Sequence, residues 1–407
     1  MRIERILAER FRNLDALRYE PHPRFNIFEG ANGQGKTNLL EALSVLAGLR
    51  SFRTTRLGEC VQFGADQAAL GARVAGRGVR VDIGVEIQGP RSRVFVDGRA
   101  VSRNSEALGT LAAVIFCAAD LGLPHGEPAA RRRWIDRAIF GHRPGYLAEV
   151  RRFEAALAQR NALLRQADRV DFDARALDAY DGVLAEAGAV LRARRQAFVA
   201  TFGPQLQAEF AAVAAPGRVA GLRYEQHDPD ARAAGPATDA FDADKVGPDA
   251  VGLDEAAASA SIELAALVEQ LRGQLGARRR LDLRRGTTSV GPQRDDVGIL
   301  LDGRPAREHA SAGQSRALVI AMKIAEIRSL EATLGEPPVL LLDDLSSELD
   351  AERNAAMMHH LDALGGQVFL TTTDARYIQL ATAHRVCTIA AGQLVTAVDA
   401  QGRSPQA

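Results

Sequence analysis

The sequence contains little lysine and little cysteine. Only three of its 51 Lys and Arg residues are lysines: Lys36, Lys245 and Lys323. Cysteine is equally rare, with three residues that lie far apart and show no CxxC spacing: Cys60, Cys117 and Cys387. This pattern excludes a disulfide framework and suits a reducing cytosol. Because arginine has replaced lysine almost everywhere, the lysine at position 36 calls for a chemical reason.

Long apolar runs and a net charge are also absent. The longest apolar run, Leu111–Ala119, has nine residues, whereas a membrane-spanning helix needs about 20. The N-terminal stretch MRIERILAERFRN has no apolar core of the kind that a signal peptide requires. Lys+Arg and Asp+Glu both number 51, so contact with a polyanion must come from local basic clusters. We therefore expect a cytoplasmic protein with no membrane partner.

The chain reads as three blocks, and its 407 residues suffice for two or three globular domains. Residues 1–120 read as strands interrupted by one helix, and residues 286–407 return to α/β patterning. Residues 121–285 carry apolar positions at helical spacing, which favours helices packed in one lobe over a long coiled coil. Within this lobe, residues 216–257 are rich in Ala, Asp, Gly and Pro, and the middle of this segment is predicted to be a solvated, mobile insertion.

A phosphate-binding pattern, GxxxxGK[ST], lies between a short apolar run and an amphipathic helical pattern. It comprises Gly30, Ala31, Asn32, Gly33, Gln34, Gly35, Lys36 and Thr37. Glycines let backbone N–H groups curl around phosphates at the positive N-terminus of the following helix. Lys36 can reach the β- and γ-phosphates of ATP, and the Thr37 hydroxyl can bind Mg²⁺. The alternative is a Gly-rich turn without chemistry, which the flanking strand and helix disfavour.

A second acidic motif, VLLLDD, ends at Asp343 and Asp344. A buried strand that delivers two carboxylates at its C-terminal end matches the edge at which α/β sheets bind ligands. We expect Asp343 to hold Mg²⁺ and Asp344 to polarise the attacking water. The alternative is a pair of acidic residues that cap the next helix, and the phosphate-binding pattern argues against it.

Two further segments resemble motifs of ABC-type ATPases. SAGQ at Ser311–Gln314 precedes a helical pattern and places a hydroxyl and backbone N–H groups at a helix N-terminus. It resembles the signature motif, which contacts the γ-phosphate held by the other protomer, and SELD ending at Asp350 resembles the D-loop. The resemblance implies head-to-tail dimers with two ATP molecules between them, bound in part by Ser311, Gly313, Gln314 and Asp350. Ser311 taken alone would be an ordinary N-cap.

The resemblance then narrows to the RecF family of bacterial DNA replication and repair proteins, which are related to the heads of SMC proteins. The stretches that carry it are FRN at Phe11–Asn13, GANGQGKTNLLEA at Gly30–Ala42, GEPAARRRWID at Gly126–Asp136, LLLDDLSSELDAER at Leu340–Arg353 and RDD at Arg294–Asp296. The resemblance implies an α/β, ABC-type ATPase head (P-loop NTPase) built from residues 1–120 and 286–407, with an inserted α-helical lobe. It also implies that Arg12 and Asn13 contribute to nucleotide binding.

The resemblance further implies a function, the one that known members of the family have. Members of the family bind double-stranded and gapped DNA as ATP-dependent homodimers, hydrolyse ATP weakly with stimulation by DNA, and work with RecO and RecR to help load RecA. The candidate catalytic residues are Lys36, Ser311 and Asp344, and the candidate metal ligands are Thr37 and Asp343.

The sequence departs from the pattern of transport ATPases at three places. Asp344 stands where those enzymes have Glu, and its shorter reach is consistent with slow hydrolysis. The residues at Thr371–Asp374, where a switch histidine is expected, contain no histidine, so the γ-phosphate sensor stays unassigned. The region expected to hold a glutamine loop, Phe116–Asp120, contains no glutamine.

Basic clusters in and next to the helical lobe are the candidate DNA contacts. They comprise Arg131, Arg132, Arg133, Arg278, Arg279, Arg280, Arg284 and Arg285. Arginine contacts to phosphates would make binding tolerant of sequence and sensitive to salt. The alternative for any single cluster is a solvated helix face paired with Asp or Glu.

Two other functions fit the motifs alone. One is the ATP-hydrolysing subunit of a membrane transporter, although residues 121–285 form a much longer insertion than such subunits carry and the switch histidine is missing. The other is a nucleotide-dependent scaffold that does not hydrolyse ATP.

Overall fold

The computed structural model describes residues 1–54, 56–166, 174–213, 217–227, 253–344, 358–378 and 380–399. Within these ranges the chain forms two six-stranded sheets, one three-stranded sheet and a group of helices. The predicted nucleotide-binding residue Asp350 and most of the predicted insertion at 216–257 lie outside the described residues. No helix in the described ranges is long and apolar enough to cross a membrane.

The strands are numbered in chain order. They are β1 (Arg2–Phe11), β2 (Leu14–Tyr19), β3 (Phe25–Glu29), β4 (Ala68–Gly76), β5 (Val79–Gln88), β6 (Arg91–Val96), β7 (Arg99–Ala100), β8 (Ala113–Cys117), β9 (Ala220–Glu225), β10 (Asp296–Leu301), β11 (Arg304–Pro305), β12 (Val339–Asp343), β13 (Val368–Thr372), β14 (His384–Ala390) and β15 (Gln393–Asp399). The helices are α1 (Lys36–Gly48), α2 (Ala118–Leu121), α3 (Pro128–His142), α4 (Tyr146–Leu164), α5 (Ala174–Val213), α6 (Leu253–Arg285), α7 (Ala306–His309) and α8 (Ala312–Leu334).

One six-stranded sheet is antiparallel, with the strand order β2-β1-β4-β5-β6-β7. The other has the order β15-β14-β3-β13-β12-β8, and all its strands are parallel except β15. The inner strands of this second sheet are nearly continuous apolar runs because both of its faces are covered. Its strands come from both ends of the chain, which meet where β3 pairs with β13 and β14 and where β8 pairs with β12.

Helix α1 is packed between the two six-stranded sheets. Ten of its 13 residues are buried, because one side faces the antiparallel sheet and the other faces the parallel sheet. Leu39, Leu40, Leu43 and Leu46 belong to the shared core, and burial of each leucine side chain stabilises the fold by about 1.5–3 kcal/mol. The N-terminus of α1 is thereby held rigidly at one edge of the parallel sheet.

The helical lobe is built from α3 to α6 and contains buried ion pairs. They are Arg160 with Asp181 and Asp282, Arg192 with Asp295, and Arg195 with Asp136. Buried charges need such partners, since an isolated charge in the interior is very costly. These carboxylates therefore set how the lobe helices pack on one another and on the RDD segment.

Strand pairing extends the lobe beyond the predicted boundary at residue 285. β10 and β11, which the sequence analysis placed in the head, pair in a three-stranded sheet with β9 of the lobe. β9 itself lies at the start of the segment 216–257. The apolar alternation at Leu222 and Tyr224 is too short to indicate a strand by itself. The segment forms a strand because β10, distant in sequence, supplies its hydrogen-bond partners.

Candidate active site

The phosphate loop and the acidic motif meet at the carboxyl edge of the parallel sheet. β3, β13 and β12 are consecutive neighbours in this sheet, so their C-terminal ends lie side by side. The loop Gly30–Thr37 leaves β3 and enters α1, and Asp343 ends β12. Two motifs about three hundred residues apart in sequence therefore form one site at the expected edge.

The loop has the geometry of an anion cradle. Gly35 has φ of 112° and is the N-cap residue of α1, and a Cβ there would lie 2.8 Å from the Asn13 side-chain oxygen. Only glycine fits this backbone without strain. Lys36 Nζ donates to the carbonyl oxygens of Gly30 at 2.6 Å and Ala31 at 3.0 Å, which holds the ammonium inside the loop. Burial lowers the pKa of Lys36, opposed by the charges of Asp344 and Asp343.

The predicted Mg²⁺ ligands Thr37 and Asp343 lie in one hydrogen-bonded group with Thr371. The Thr37 hydroxyl donates to Asp343 Oδ1 at 2.8 Å, and the Thr371 hydroxyl donates to the same oxygen at 2.9 Å. Hydroxyl and carboxylate oxygens are the ligands that Mg²⁺ prefers, and in nucleotide sites it takes one or two protein ligands besides phosphates and water. The residues present therefore fit Mg²⁺, although no cluster of three or more His, Cys, Asp or Glu side chains occurs within the described part of the chain.

Thr371 also positions the second carboxylate. Its Oγ accepts the backbone N–H of Asp344 at 2.9 Å, so one buried hydroxyl contacts both residues of the acidic pair. Asp344 has φ of 51°, a left-handed conformation that Asp tolerates better than most residues. Sequence reasoning missed Thr371. The available signal was a hydroxyl residue at the end of a buried strand next to the predicted Asp343 strand.

Asn13 and Arg12, both predicted from the family resemblance to contribute to nucleotide binding, contact different parts of the site. Asn13 supports the loop directly: its Nδ2 donates to the Gly33 carbonyl at 3.3 Å, and its Oδ1 accepts from Asn38 at 2.8 Å. Arg12 instead binds Glu41 on α1 through two hydrogen bonds of 3.0 and 2.8 Å. The structure therefore brings Asn13 to the phosphate loop and places Arg12 one turn further along α1.

Glu41 is a buried carboxylate that sequence reasoning also missed. It accepts from Arg12, from Arg53 at 3.2 Å and from Ser51 at 2.5 Å, and its side chain is fully buried. Burial alone would raise the pKa of Glu41, but the hydrogen bonds from Arg12 and Ser51 and the two arginine charges outweigh it and lower that pKa. Glu41 therefore stays ionised and ties the segment after α1 to the end of β1.

The turn between β14 and β15 braces the outer side of the phosphate loop. The backbone N–H of Ala391 donates to the Gln34 side chain at 2.6 Å, and that of Gly392 donates to the Gln34 carbonyl at 2.8 Å. A Cβ at Gly392 would lie 1.9 Å from the Asn13 carbonyl oxygen, so the turn and Asn13 are in close backbone contact. The loop is thus held from two sides.

The SAGQ segment forms the start of α8. Ser311 is the N-cap: its Oγ accepts the Gln314 N–H at 3.3 Å, and the Gln314 side chain accepts the Ser311 N–H at 2.8 Å. Ser311 and Ala312 are exposed, and Gly313 is half-buried. The N-cap interpretation is therefore correct, and it leaves an exposed positive helix end that is open to an anion from outside the chain.

The structure divides the predicted DNA contacts. Arg131 is 4% exposed, makes hydrogen bonds of 2.9 and 2.7 Å to both carboxylate oxygens of Asp296 and donates to two carbonyls. Its inclusion in a DNA surface is corrected, because its guanidinium is used inside the protein. Arg132 donates to the Asp295 carbonyl at 2.7 Å, and Arg279 pairs with Asp178 and Asp181.

Four candidates of the eight are solvent-exposed: Arg133, Arg280, Arg284 and Arg285. Arg278 is half-buried. Three of the exposed residues lie in the last two turns of α6, where their charges also favour the helix C-terminus. The end of α6 is therefore the part of the predicted surface at which phosphates could be reached.

Comparison with known proteins agrees with this architecture. The family model described as the RecF/RecN/SMC N terminal domain matches residues 2–395. The DNA replication and repair protein RecF of Myxococcus xanthus is 41% identical over 403 residues, which cover 98% of this chain and 99% of that protein. RecF of Geobacter sulfurreducens is 37% identical over 380 residues, covering 93% and 95%.

Solved structures match as well. A structure of the recombination mediator protein RecF-ATPrS in the RecFOR pathway superposes with a TM-score of 0.80 at 27% identity and covers 97% of both chains. A RecF-ATP structure gives 0.78 at 26% identity and covers 96% of both chains. An Smc head bound to a winged-helix domain of ScpA has a TM-score of 0.52 at 14% identity, with coverage of 98% and 97%, which supports the fold alone.

These matches confirm the predicted fold class, an α/β ABC-type ATPase head with an inserted helical lobe. They do not favour the transporter alternative, because the relatives found are DNA replication and repair proteins. On the strength of nearly full-length similarity, the chain belongs to the RecF family of DNA replication and repair proteins.

Proposed function

We propose that this chain is an ATP-gated DNA clamp of recombinational repair, a recombination mediator like the RecF proteins that it resembles. The observation that supports the proposal is where the structure places the phosphate loop and the start of α8. The phosphate loop with Asp343 lies at one edge of the head, whereas the exposed helix end at Ser311 makes its hydrogen bonds within its own capping box. A second copy of the chain would bring a Ser311 helix to each phosphate loop.

The residues of one chain bind and orient the nucleotide. Backbone N–H groups of Gly33–Thr37 and the Lys36 ammonium would hold the phosphates, and Thr37 with Asp343 would hold Mg²⁺. The ion, when bound, neutralises charge that develops on the β- and γ-phosphates. Asp344, fixed through its N–H by Thr371, orients the attacking water as general base. The Ser311 hydroxyl and the Gly313 N–H would face the partner copy's γ-phosphate, and Gln314 would support them because its N–H donates to Ser311 Oγ.

Closure of the dimer would then hold DNA between the two lobes. The exposed arginines at the end of α6, together with Arg133, would neutralise phosphates without base readout, so binding tolerates sequence and weakens with salt. Slow, DNA-stimulated hydrolysis removes the γ-phosphate that joins the two halves and reopens the clamp. Double-stranded and gapped DNA are the proposed substrates. RecO and RecR are the proposed partners in loading RecA, in the cytoplasm.

Sedimentation velocity tests this proposal. The wild-type chain should be monomeric with ADP and dimeric with ATP, and ATP should increase retention on gapped duplex DNA. Asp344→Asn should accumulate as the ATP dimer because the general base is lost, while Lys36→Ala should stay monomeric. A chain that hydrolyses no ATP yet dimerises with it would support the scaffold alternative, and a strictly monomeric ATP complex would refute the clamp.

A further inference from the structure

A buried group of charges connects the Asp343 edge to the signature helix α8. It consists of Asp120 on α2, Arg137 on α3, and Lys323 and Glu326 on α8. Asp120, Lys323 and Glu326 are each 5% exposed or less. The nucleotide chemistry described above uses none of these four residues. Arg137 is half-buried, so the set comprises two acids and two bases, three of them buried, on three helices. Such a charge set favours one relative position of those helices.

The contacts of Lys323 join α8 to β8 and α2. Its Nζ donates to the Ile115 carbonyl at 2.7 Å and lies 3.3 Å from both Asp120 Oδ2 and Glu326 Oε2. Lys323 is one of only three lysines in the chain. Its compact ammonium offers three donors, and three acceptors surround it here, an arrangement that a planar guanidinium does not reproduce.

Asp120 carries the connection to the strand edge. Its Oδ2 accepts the backbone N–H of Cys117 at 3.1 Å, and Cys117 is the register partner of Asp343 in the adjacent parallel strand. Its Oδ1 accepts from Arg137 at 3.0 Å, which adds the first helix of the lobe. Burial would raise the pKa of Asp120, but Lys323, Arg137 and the Cys117 N–H outweigh it and lower that pKa, so the carboxylate stays charged.

A second contact holds the start of α8. His125, just after α2, contacts the Ser315 hydroxyl through Nε2 at 2.8 Å and the Arg307 carbonyl through Nδ1 at 3.2 Å. The segment 117–125 is therefore attached to α8 both at Lys323 and near Ser311. Lys323 lies twelve positions after Ser311, which is about 18 Å of rigid helix.

We propose that the buried Asp120–Lys323 ion pair transmits the state of the Asp343 edge to the signature helix and so sets how well an ATP-bound chain presents Ser311 to a second copy. Asp120 and Lys323 are positioning residues in this proposal, because they act through Cys117 and α8 and touch no reacting atom. The proposal rests on the proposed function, since it concerns the ATP-dependent dimer.

The test compares Asp120→Asn and Lys323→Met with a matched control, Asp282→Asn. Asp282 is also fully buried and pairs with Arg160 at 2.8 Å, but it lies in the lobe between α4 and α6. For each full-length variant, three quantities are measured: the ATP affinity of the dilute monomer, the protein concentration for half-maximal ATP-dependent dimerisation, and the free energy of unfolding.

We expect both variants to raise the dimerisation concentration about tenfold or more, within the usual range of coupling between sites, while the ATP affinity of the monomer is unchanged. The double variant should be no worse than the singles, because both remove one interaction. Asp282→Asn should lose stability without a shift in dimerisation. If the charged pair proves necessary for folding, Ser315→Ala removes only the His125 contact and should weaken dimerisation in the same direction by a smaller factor.

These measurements distinguish failure of the proposed function from failure of this inference alone. If the wild-type chain does not dimerise with ATP, the proposed function fails and this inference fails with it. If the wild type dimerises but Asp120→Asn and Lys323→Met match Asp282→Asn, or if Ser315→Ala leaves dimerisation unchanged when the others do not fold, the inference alone is refuted.

Discussion

Replacement of Thr371 by valine tests how the acidic pair is positioned. Thr371 is 1% exposed, and its hydroxyl makes hydrogen bonds of 2.9 Å to Asp343 Oδ1 and to the Asp344 N–H. Valine keeps the side-chain volume and removes both bonds. A hydrogen bond to a charged group is worth about 1.5–3 kcal/mol, so we expect Mg²⁺-dependent ATP affinity or turnover to fall about 10- to 150-fold at about 1.4 kcal/mol per factor of ten.

Thr288→Val is the matched control for this variant. Thr288 is also 1% exposed, and its hydroxyl accepts from Arg160 at 2.9 Å and donates to Asn161 at 2.7 Å, inside the lobe. Both variants should lower the free energy of unfolding by about 1–3 kcal/mol. Titration with a fluorescent ATP analogue at varied Mg²⁺ measures the nucleotide affinity. Equal affinity and equal turnover for the two variants would refute the role assigned to Thr371.

Two other substitutions test the supports of the site. Gly392→Ala should weaken ATP binding, because the added Cβ would clash with the Asn13 carbonyl. Gly303→Ala is the control: Gly303 has a similar φ of 74°, nothing lies within 4 Å of the added atom, and only stability should fall. Equal ATP affinities of the two variants would contradict the role of the β14–β15 turn in holding the phosphate loop. The Glu41 pKa lies below its ordinary value of 4.5, so its ion pairs stabilise the fold above pH 4.5 and lose that effect as the pH falls further. Glu41→Gln should therefore flatten the acid side of the stability profile, and an unchanged acid side in denaturation experiments would argue against this ion network.

The positions of the phosphate loop and the acidic strand were largely predictable because their signals are local. The phosphate-binding pattern needs only the strand before it and the helix after it, and both were visible in the sequence around Gly30–Thr37. The same holds for β12, an apolar run that ends in two carboxylates. The rule that ligands bind at the carboxyl ends of parallel strands then placed the two motifs together. Thr371 escaped because its role depends on β13 lying between β3 and β12, a strand order that no local pattern encodes.

The arginine clusters show why exposure was harder to predict. Three consecutive arginines on a helix point in directions about 100° apart, so Arg131 faces the interior and binds Asp296 while Arg133 faces solvent. The sequence shows the cluster, but it does not show which arginine pairs with a carboxylate in a segment about 165 residues away. β9 was missed for the same reason, because the pairing that makes it a strand comes from the distant β10.

The most direct test of the proposed shared ATP site mixes two variants that should each be inactive alone. Lys36→Ala removes the phosphate-binding lysine, and Ser311→Arg blocks the signature helix that is offered to the partner copy. In a mixed dimer, the intact Lys36 of one copy faces the intact Ser311 of the other, so one of the two composite sites is restored. Neither variant should form dimers with itself, so the dimers in an equal mixture should be mixed ones with one intact site of two, and the mixture should regain up to about half of wild-type ATPase activity. A mixture no more active than the sum of the separate variants would contradict the account.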